Sequence, residues 1–345
     1  MANMSFTKEK RDAIRHYLLE KIDAGDSDFI SKAAEAFRAS DKTIYRYLQE
    51  MVSQGILEKS GKKYQLHSLS YEFRYEHAAL KSADEDRIYR NDIRPVLQDL
   101  PKNVLDIWYY SFTEMMNNAI DHSEAAAIRV TVQKTNLHTT ILIYDDGIGI
   151  FKKIKDHFGY SSLDDAVEDL FKGKFTTDPE HHTGEGIFFT SHMLDMFVVI
   201  SNGKLFSRDK FDELISDLKA PLSSSSTDAL PGTFVFMRLS NSSNKTESAI
   251  FDLYADIDDG FTRTQIPLKS YFETWPVSRS QAKRLCRGFD RFLEVLLDFT
   301  DVPKIGQGFA HELFIVWPKN HPGTRLVPVG ANEAVQKMIS HVLNS

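Results

Sequence analysis

Glu114, Asn118 and Asp121 are residues whose types and spacing suggest chemistry. They stand at i, i+4 and i+7 in Glu-Met-Met-Asn-Asn-Ala-Ile-Asp, so a helix brings all three onto one face. Three oxygen-bearing side chains in line can accept hydrogen bonds or protons. The same stripe is also what an ordinary amphipathic helix shows to water. Phe112, Met115, Met116, Ala119 and Ile120 fill the remaining faces and suit packing against a sheet. What separates the two readings lies further along. Ile141-Leu-Ile-Tyr is a short buried-strand run that ends in Asp145-Asp146-Gly147-Ile148-Gly149. Thr183-Gly184-Glu185-Gly186-Ile187 then opens another helix, and Pro231-Gly232-Thr233 leads into the strand Phe234-Val-Phe-Met-Arg-Leu239.

These four pieces, in this order, resemble the nucleotide site of the GHKL superfamily, shared by gyrase, heat-shock chaperones, mismatch-repair proteins and histidine kinases. The resemblance covers roughly residues 80–240 and implies ATP and Mg²⁺ as ligands. By this resemblance Asp145 is the carboxylate that accepts a hydrogen bond from the adenine amino group, and Thr233 supplies the hydroxyl that supports it. Gly147 and Gly149 let the backbone turn tightly and approach the base. Asn118 is the Mg²⁺ ligand, an amide oxygen suited to a hard cation, and Asp121 completes the nucleotide-binding face. Gly184 and Gly186 precede a helix, so free N–H groups face the phosphates. The family pattern has one more glycine where this chain has His182. Glu114 matches the general base of hydrolysing members, and also of the anti-sigma serine kinases, whereas histidine kinases usually carry asparagine there.

Residues 151–182 fall where the superfamily keeps its mobile lid. Lys172 or Lys174 would reach the phosphates when the lid closes, or else be solvated loop cations. His181-His182 lacks a His-x₃-His spacing and a nearby cysteine, which argues against zinc.

The elements that must position these residues form the middle of a 345-residue chain, long enough for two or three domains. Hydrophobic content of 42% and charged content of 26% are those of a globular protein with real cores. A net charge of −7 excludes a chain that coats nucleic acid along its whole length. The lone Cys286 excludes a disulfide framework. No signal-like apolar segment and no run of about 18 apolar residues is present, so the expected location is the cytoplasm, with no membrane partner.

Ahead of the middle segment, residues 6–66 read as three helices, Thr7–Ile22, Ile30–Phe37 and Lys42–Gln54, followed by two short strands. They resemble a winged helix-turn-helix. That implies double-stranded DNA as partner, met by Lys42, Thr43, Tyr45 and Arg46 on the recognition helix and by Lys62 and Lys63 on the wing. With about twelve basic and ten acidic side chains the segment is only mildly basic, and a protein-contact role stays open. Residues 68–113 read as a connector running into the first helix of the middle domain. His77 lies in a charged stretch without an apolar stripe, which disfavours a histidine-kinase dimerisation helix.

After the turn-rich Asn241–Thr246, helices and strands alternate, arguing for an α/β layer fold. This part is similar to a STAS-like domain of unknown function. Where phosphorylatable STAS domains carry an acceptor serine, this chain has Gly306, Gln307 and Gly308.

The expected fold class is therefore α+β and multi-domain: a winged helix (1–67), an α/β-sandwich ATPase of Bergerat type (68–246) and a small STAS-like domain (247–345). The expected function is ATP-dependent DNA-binding or signalling control with slow hydrolysis. A serine/threonine kinase of anti-sigma type is the alternative. A protein partner is expected at the STAS-like domain, with homodimerisation open. A mismatch-repair-like remodelling ATPase is disfavoured, since no transducer domain follows residue 240.

Overall fold

Thr7 and Ser40 start the first and third helices by accepting hydrogen bonds from the N–H groups of Lys10 and Thr43, which would otherwise lack partners. The computed structural model describes residues 6–76, 84–174, 184–208, 231–256, 260–272 and 274–344. Helices α1 (Lys8–Asp23), α2 (Phe29–Ala36) and α3 (Asp41–Ser53) are followed by an antiparallel hairpin, β1 (Leu57–Ser60) and β2 (Lys63–Leu66). Ile14, Leu18, Ile44, Leu48 and Met51 form a small core belonging to this unit alone.

Next comes a six-stranded antiparallel sheet in the order β3-β4-β5-β8-β6-β7. Its strands are β3 (Leu69–Glu76), β4 (Ala127–Lys134), β5 (His138–Asp145), β6 (Met196–Ser201), β7 (Lys204–Ser207) and β8 (Thr233–Ser240). The first of these corrects the reading of residues 68–76 as connector. Leu69, Tyr71, Phe73 and Tyr75 alternate with Ser70, Glu72, Arg74 and Glu76 along an edge strand, where Phe73 and Tyr75 pack on the core and the charged side chains stay solvated. His77 lies outside the described residues.

Helix α4 runs through Glu85–Ile88, a π-turn at Tyr89–Ile93 and Arg94–Leu97. Beyond Pro101 follows α5 (Lys102–His122), which buries Trp108, Phe112, Met115 and Met116 against the sheet. The short α6 (Ile150–Phe158), α7 (Leu163–Leu170) and α8 (Gly186–Met193) complete the helical layer. Ser162 and Asp165 form a reciprocal capping box at the start of α7.

The C-terminal part holds α9 (Glu247–Tyr254), the two-residue strands β9 (Ala255–Asp256) and β10 (Gly260–Phe261), and a parallel sheet. That sheet has the order β11-β12-β13, formed by Arg263–Pro267, Glu294–Asp298 and Arg325–Val329. Helices α10 (Leu268–Tyr271), α11 (Arg279–Leu285), α12 (Gln307–His311) and α13 (Glu333–Leu343) accompany it, giving the alternation expected from sequence. Helix α12 continues through a π-turn, Glu312–Val316, into Trp317–Asn320. Both π-turns end two residues before a proline, Pro95 and Pro318, whose missing N–H and bulky ring widen the turn.

The polar stretch 241–246 does not separate two cores. Phe188 packs on Phe261 and Tyr254 with ring centres 4.5 and 5.0 Å apart, and Phe189 packs on Phe251 at 4.4 Å. One apolar core therefore runs from Ile88 to Val342. The N-terminal unit meets it through Leu137, which packs on the smaller core, and His138, 3.7 Å from Asp23. Among the described residues no helix is long and apolar enough to cross a membrane.

Candidate functional site

A pocket of about 320 Å³ opens between α5, α6 and the sheet. Its floor is apolar, from Ile143 on β5, Val199 on β6 and Val235 on β8. At one end Asp145, only 4% exposed, closes strand β5. Its Oδ1 accepts the N–H groups of Gly147 at 3.0 Å and Thr233 at 3.2 Å, and the Thr233 hydroxyl also bonds the carboxyl. Burial outweighs these bonds and raises its pKa to about 6. This is a carboxylate held in place by neutral donors, with no cation beside it among the described residues.

The two glycines of the loop allow the tight turn and close backbone approach that their spacing suggested. Neither lines the pocket. A Cβ at Gly147 would lie 1.9 Å from the carbonyl oxygen of Ser123, so the loop needs glycine to pack beneath the end of α5. Gly149 has φ +85° and lies against the Asn202 side chain.

On α5 the stripe divides. Glu114 and Asn118 line the pocket, whereas Asp121 is exposed and lies off its wall. Neither Glu114 nor Asn118 makes a side-chain hydrogen bond or ion pair with a described residue. Burial, then the nearby charges of Glu85 and Glu185, raises the pKa of Glu114. Gly184 and Gly186 line the opposite end at the head of α8. A Cβ on Gly186 would fall 1.9 Å from Glu114 Oε2, so a side chain there would push the Glu114 carboxylate out of its present place.

Residues 105–233 match the family model of histidine kinase-, DNA gyrase B- and HSP90-like ATPases. The chain carries an ATPase domain of this family. Residues 281–336 match the STAS-like domain of unknown function. No curated protein matches the chain. The span of the ATPase match holds Glu114, Asn118, Asp145, Gly184 and Gly186 and ends on Thr233. ATP binding follows from the family. The chain's own groups fit Mg²⁺ only in part: Asn118 offers a free amide oxygen, but no cluster of three or more His, Cys, Asp or Glu among the described residues could hold a metal. A magnesium ion here would need phosphate oxygens as well.

Two residues of the ATPase domain's pocket had escaped notice in the sequence. Lys153 on α6 lines it, and its Nζ donates to the His122 carbonyl at 2.8 Å, at the C-terminal end of α5. His122 lines it too. The signal was there: continuing a helix from Gly149 turns the fourth residue back toward the pocket.

The lid lysines behave otherwise than expected. Lys172 is buried and pairs with Asp169 at 2.7 Å; Lys174 donates to the Arg291 carbonyl and lies over Phe261 and Phe292. Lys172 is shut away from solvent, Lys174 is partly covered, and neither lines the pocket, because the C-terminal part supplies their surroundings. Helix α7 bridges the two. Leu170 lines the ATPase pocket, while Asp165 and Glu168 meet Arg287 at 3.3 Å and Arg284 at 3.2 Å. Tyr271 donates to Glu168 at 3.0 Å, and Thr264 to the Lys172 carbonyl at 2.6 Å. His181 and His182 lie outside the described residues.

In the N-terminal unit Lys42, Tyr45 and Arg46 are exposed at the start of α3, and Lys62 and Lys63 are exposed on the hairpin. Thr43 differs: it is half-buried, and its hydroxyl is engaged with Ser40 at the helix cap.

Proposed function

We propose that the chain is an ATP-responsive regulator whose N-terminal unit binds double-stranded DNA, with slow Mg²⁺-dependent hydrolysis resetting the ATP-bound state. The observation that carries the nucleotide reading is Asp145, a buried carboxylate held only by uncharged donors at the end of an apolar pocket. An acceptor there takes a hydrogen bond from the adenine amino group and rejects guanine, which carries a carbonyl at that position. Gly184 and Gly186 turn backbone N–H groups toward the phosphates. Asn118 would be the group that holds Mg²⁺, and the ion would supply neutralisation of phosphate charge. Glu114, unpaired and with a raised pKa, takes the proton of the attacking hydroxyl.

That hydroxyl belongs to water in an ATPase and to a serine or threonine in a kinase. Incubation with γ-labelled ATP decides between them. Free labelled phosphate that disappears in Glu114→Gln supports hydrolysis, label on a protein supports transfer, and neither outcome would leave Glu114 without its role. Transfer to the start of α12 is disfavoured. A side chain at Gly306 would meet the Val277 backbone at 2.5 Å, so no acceptor residue fits there.

Support for DNA binding comes from Lys42, Tyr45 and Arg46, exposed together on one helix start beside a basic hairpin. Selection from a random duplex pool, with and without ATP, tests it; no retained DNA at low salt in either state would favour a protein-contact role. The C-terminal module is the proposed protein-binding part. It exposes Trp275 and Val277, 47% and 51% accessible.

A further inference from the structure

A second cleft, of about 490 Å³, lies in the N-terminal unit between α1 and α3. Helix α1 contributes Lys8, Arg11, Asp12 and Arg15, and α3 contributes Arg46, Tyr47 and Glu50. Lys8, Arg11 and Arg15 stand at i, i+3 and i+7, so one face of α1 is a basic stripe. Four cations face two carboxylates, in a chain whose net charge is −7. Glu50 is already engaged, accepting from Arg15 Nη2 at 3.1 Å with Arg46 Nε 3.8 Å away.

Two donors remain unsatisfied. The Tyr47 hydroxyl and Arg15 Nε are both buried and have no hydrogen-bond partner among the described residues. Tyr47 itself is only 2% exposed. Buried donors without acceptors are costly, and two of them in one positive cleft call for a single group with several acceptor oxygens and negative charge. A metal ion does not fit, since arginine and lysine have no lone pair to offer. A neutral ligand would leave the excess positive charge unanswered.

We propose that this cleft binds a phosphate group, with Tyr47 and Arg15 donating to its oxygens and Lys8, Arg11 and Arg46 supplying charge. Two sources share that chemistry: the backbone of a DNA duplex lying along α3, and a free phosphorylated small molecule. Arg46 belongs both to the cleft and to the exposed start of α3, so a free ligand would compete with DNA for it. The proposal does not depend on the nucleotide reading of the larger pocket.

The test uses the full chain and two probes, inorganic pyrophosphate by calorimetry and a random-sequence duplex by fluorescence anisotropy at several salt concentrations. The variants are Lys8→Gln/Arg11→Gln, both exposed and therefore safe for folding, Arg15→Gln, and Tyr47→Phe, which keeps the buried ring. A free-ligand site predicts pyrophosphate affinity reduced about tenfold or more by Arg15→Gln and about threefold to tenfold by Tyr47→Phe. Pyrophosphate seated in the larger pocket would ignore both changes. A DNA-backbone site predicts weaker duplex binding, with the log–log salt slope flattened by about 0.9 for each contact removed in Lys8→Gln/Arg11→Gln. If neither probe's binding responds to any of the three variants, the proposal is overturned.

Discussion

At Asp145 burial and hydrogen bonding pull in opposite directions, and burial prevails: the carboxyl carries a pKa of about 6 instead of the ordinary value near 4. The ionised form is the one that accepts strongly from an amino group. Adenine binding must therefore be strongest above about pH 6 and weaken as the pH falls, by up to about tenfold per unit as one proton competes. Adenosine, which has no phosphate to titrate, is the suitable probe between pH 5 and 8. A flat profile would place the base elsewhere. Asp145→Asn turns the acceptor into a donor and should cost ~1.5–3 kcal/mol, roughly 10- to 150-fold in ATP affinity by calorimetry. Glu114 makes the complementary prediction. Its change to Ala should leave Mg-ATP affinity nearly intact and lower turnover by ~10²–10⁴-fold in a phosphate-release assay. Weakened binding with normal turnover would make it a ligand-binding group instead.

Among the elements, α7 has the most to lose. Lys172→Met would leave Asp169 buried without its cation, and removal of one partner from a buried pair costs ~3–5 kcal/mol. A double change with Asp169→Asn should recover part of that in urea unfolding. Arg284→Gln/Arg287→Gln, by contrast, touches half-exposed arginines, so global stability should hardly change. Hydrogen exchange should quicken over residues 150–174, and an unchanged pattern would mean the arginines do not restrain the lid. This is also where the sequence stopped being legible. Glu114, Asn118 and the Asp145 loop could be read because helix period and strand-turn chemistry are local. Asp169, three residues before Lys172, is a local partner, but the distant ones could not be read: Thr264, which bonds the Lys172 carbonyl, is 92 residues away and Arg291 is 117 from Lys174. Strand β3 was missed for a different reason: its alternation of Leu69, Tyr71, Phe73 and Tyr75 was legible, but the charges between them were read as a polar connector. Asp121 shared the right helical face, but α5 turns it past the pocket rim.

Over the whole molecule, α7 touches the ATPase pocket through Leu170 and the C-terminal module through Asp165 and Glu168. If a partner of that module binds differently to open and closed lids, it changes ATP affinity, and ATP changes the partner's affinity by the same factor. The shared aromatic core carries a separate consequence, for cooperativity of unfolding. Phe188, Phe189, Phe251 and Phe261 interlock across the boundary that composition suggested, so the ATPase and C-terminal parts have no separate interiors to melt. Three sequence segments should then give two calorimetric transitions, a small one for the core around Ile14 and Leu48 and a large one for everything from Ile88 onward. Saturating ATP should raise the large transition and leave the small one in place, because ligand stabilises only the unit that holds it. A chain cut after residue 246 would bare the faces of Phe188 and Phe189, and should aggregate where the intact chain stays dispersed.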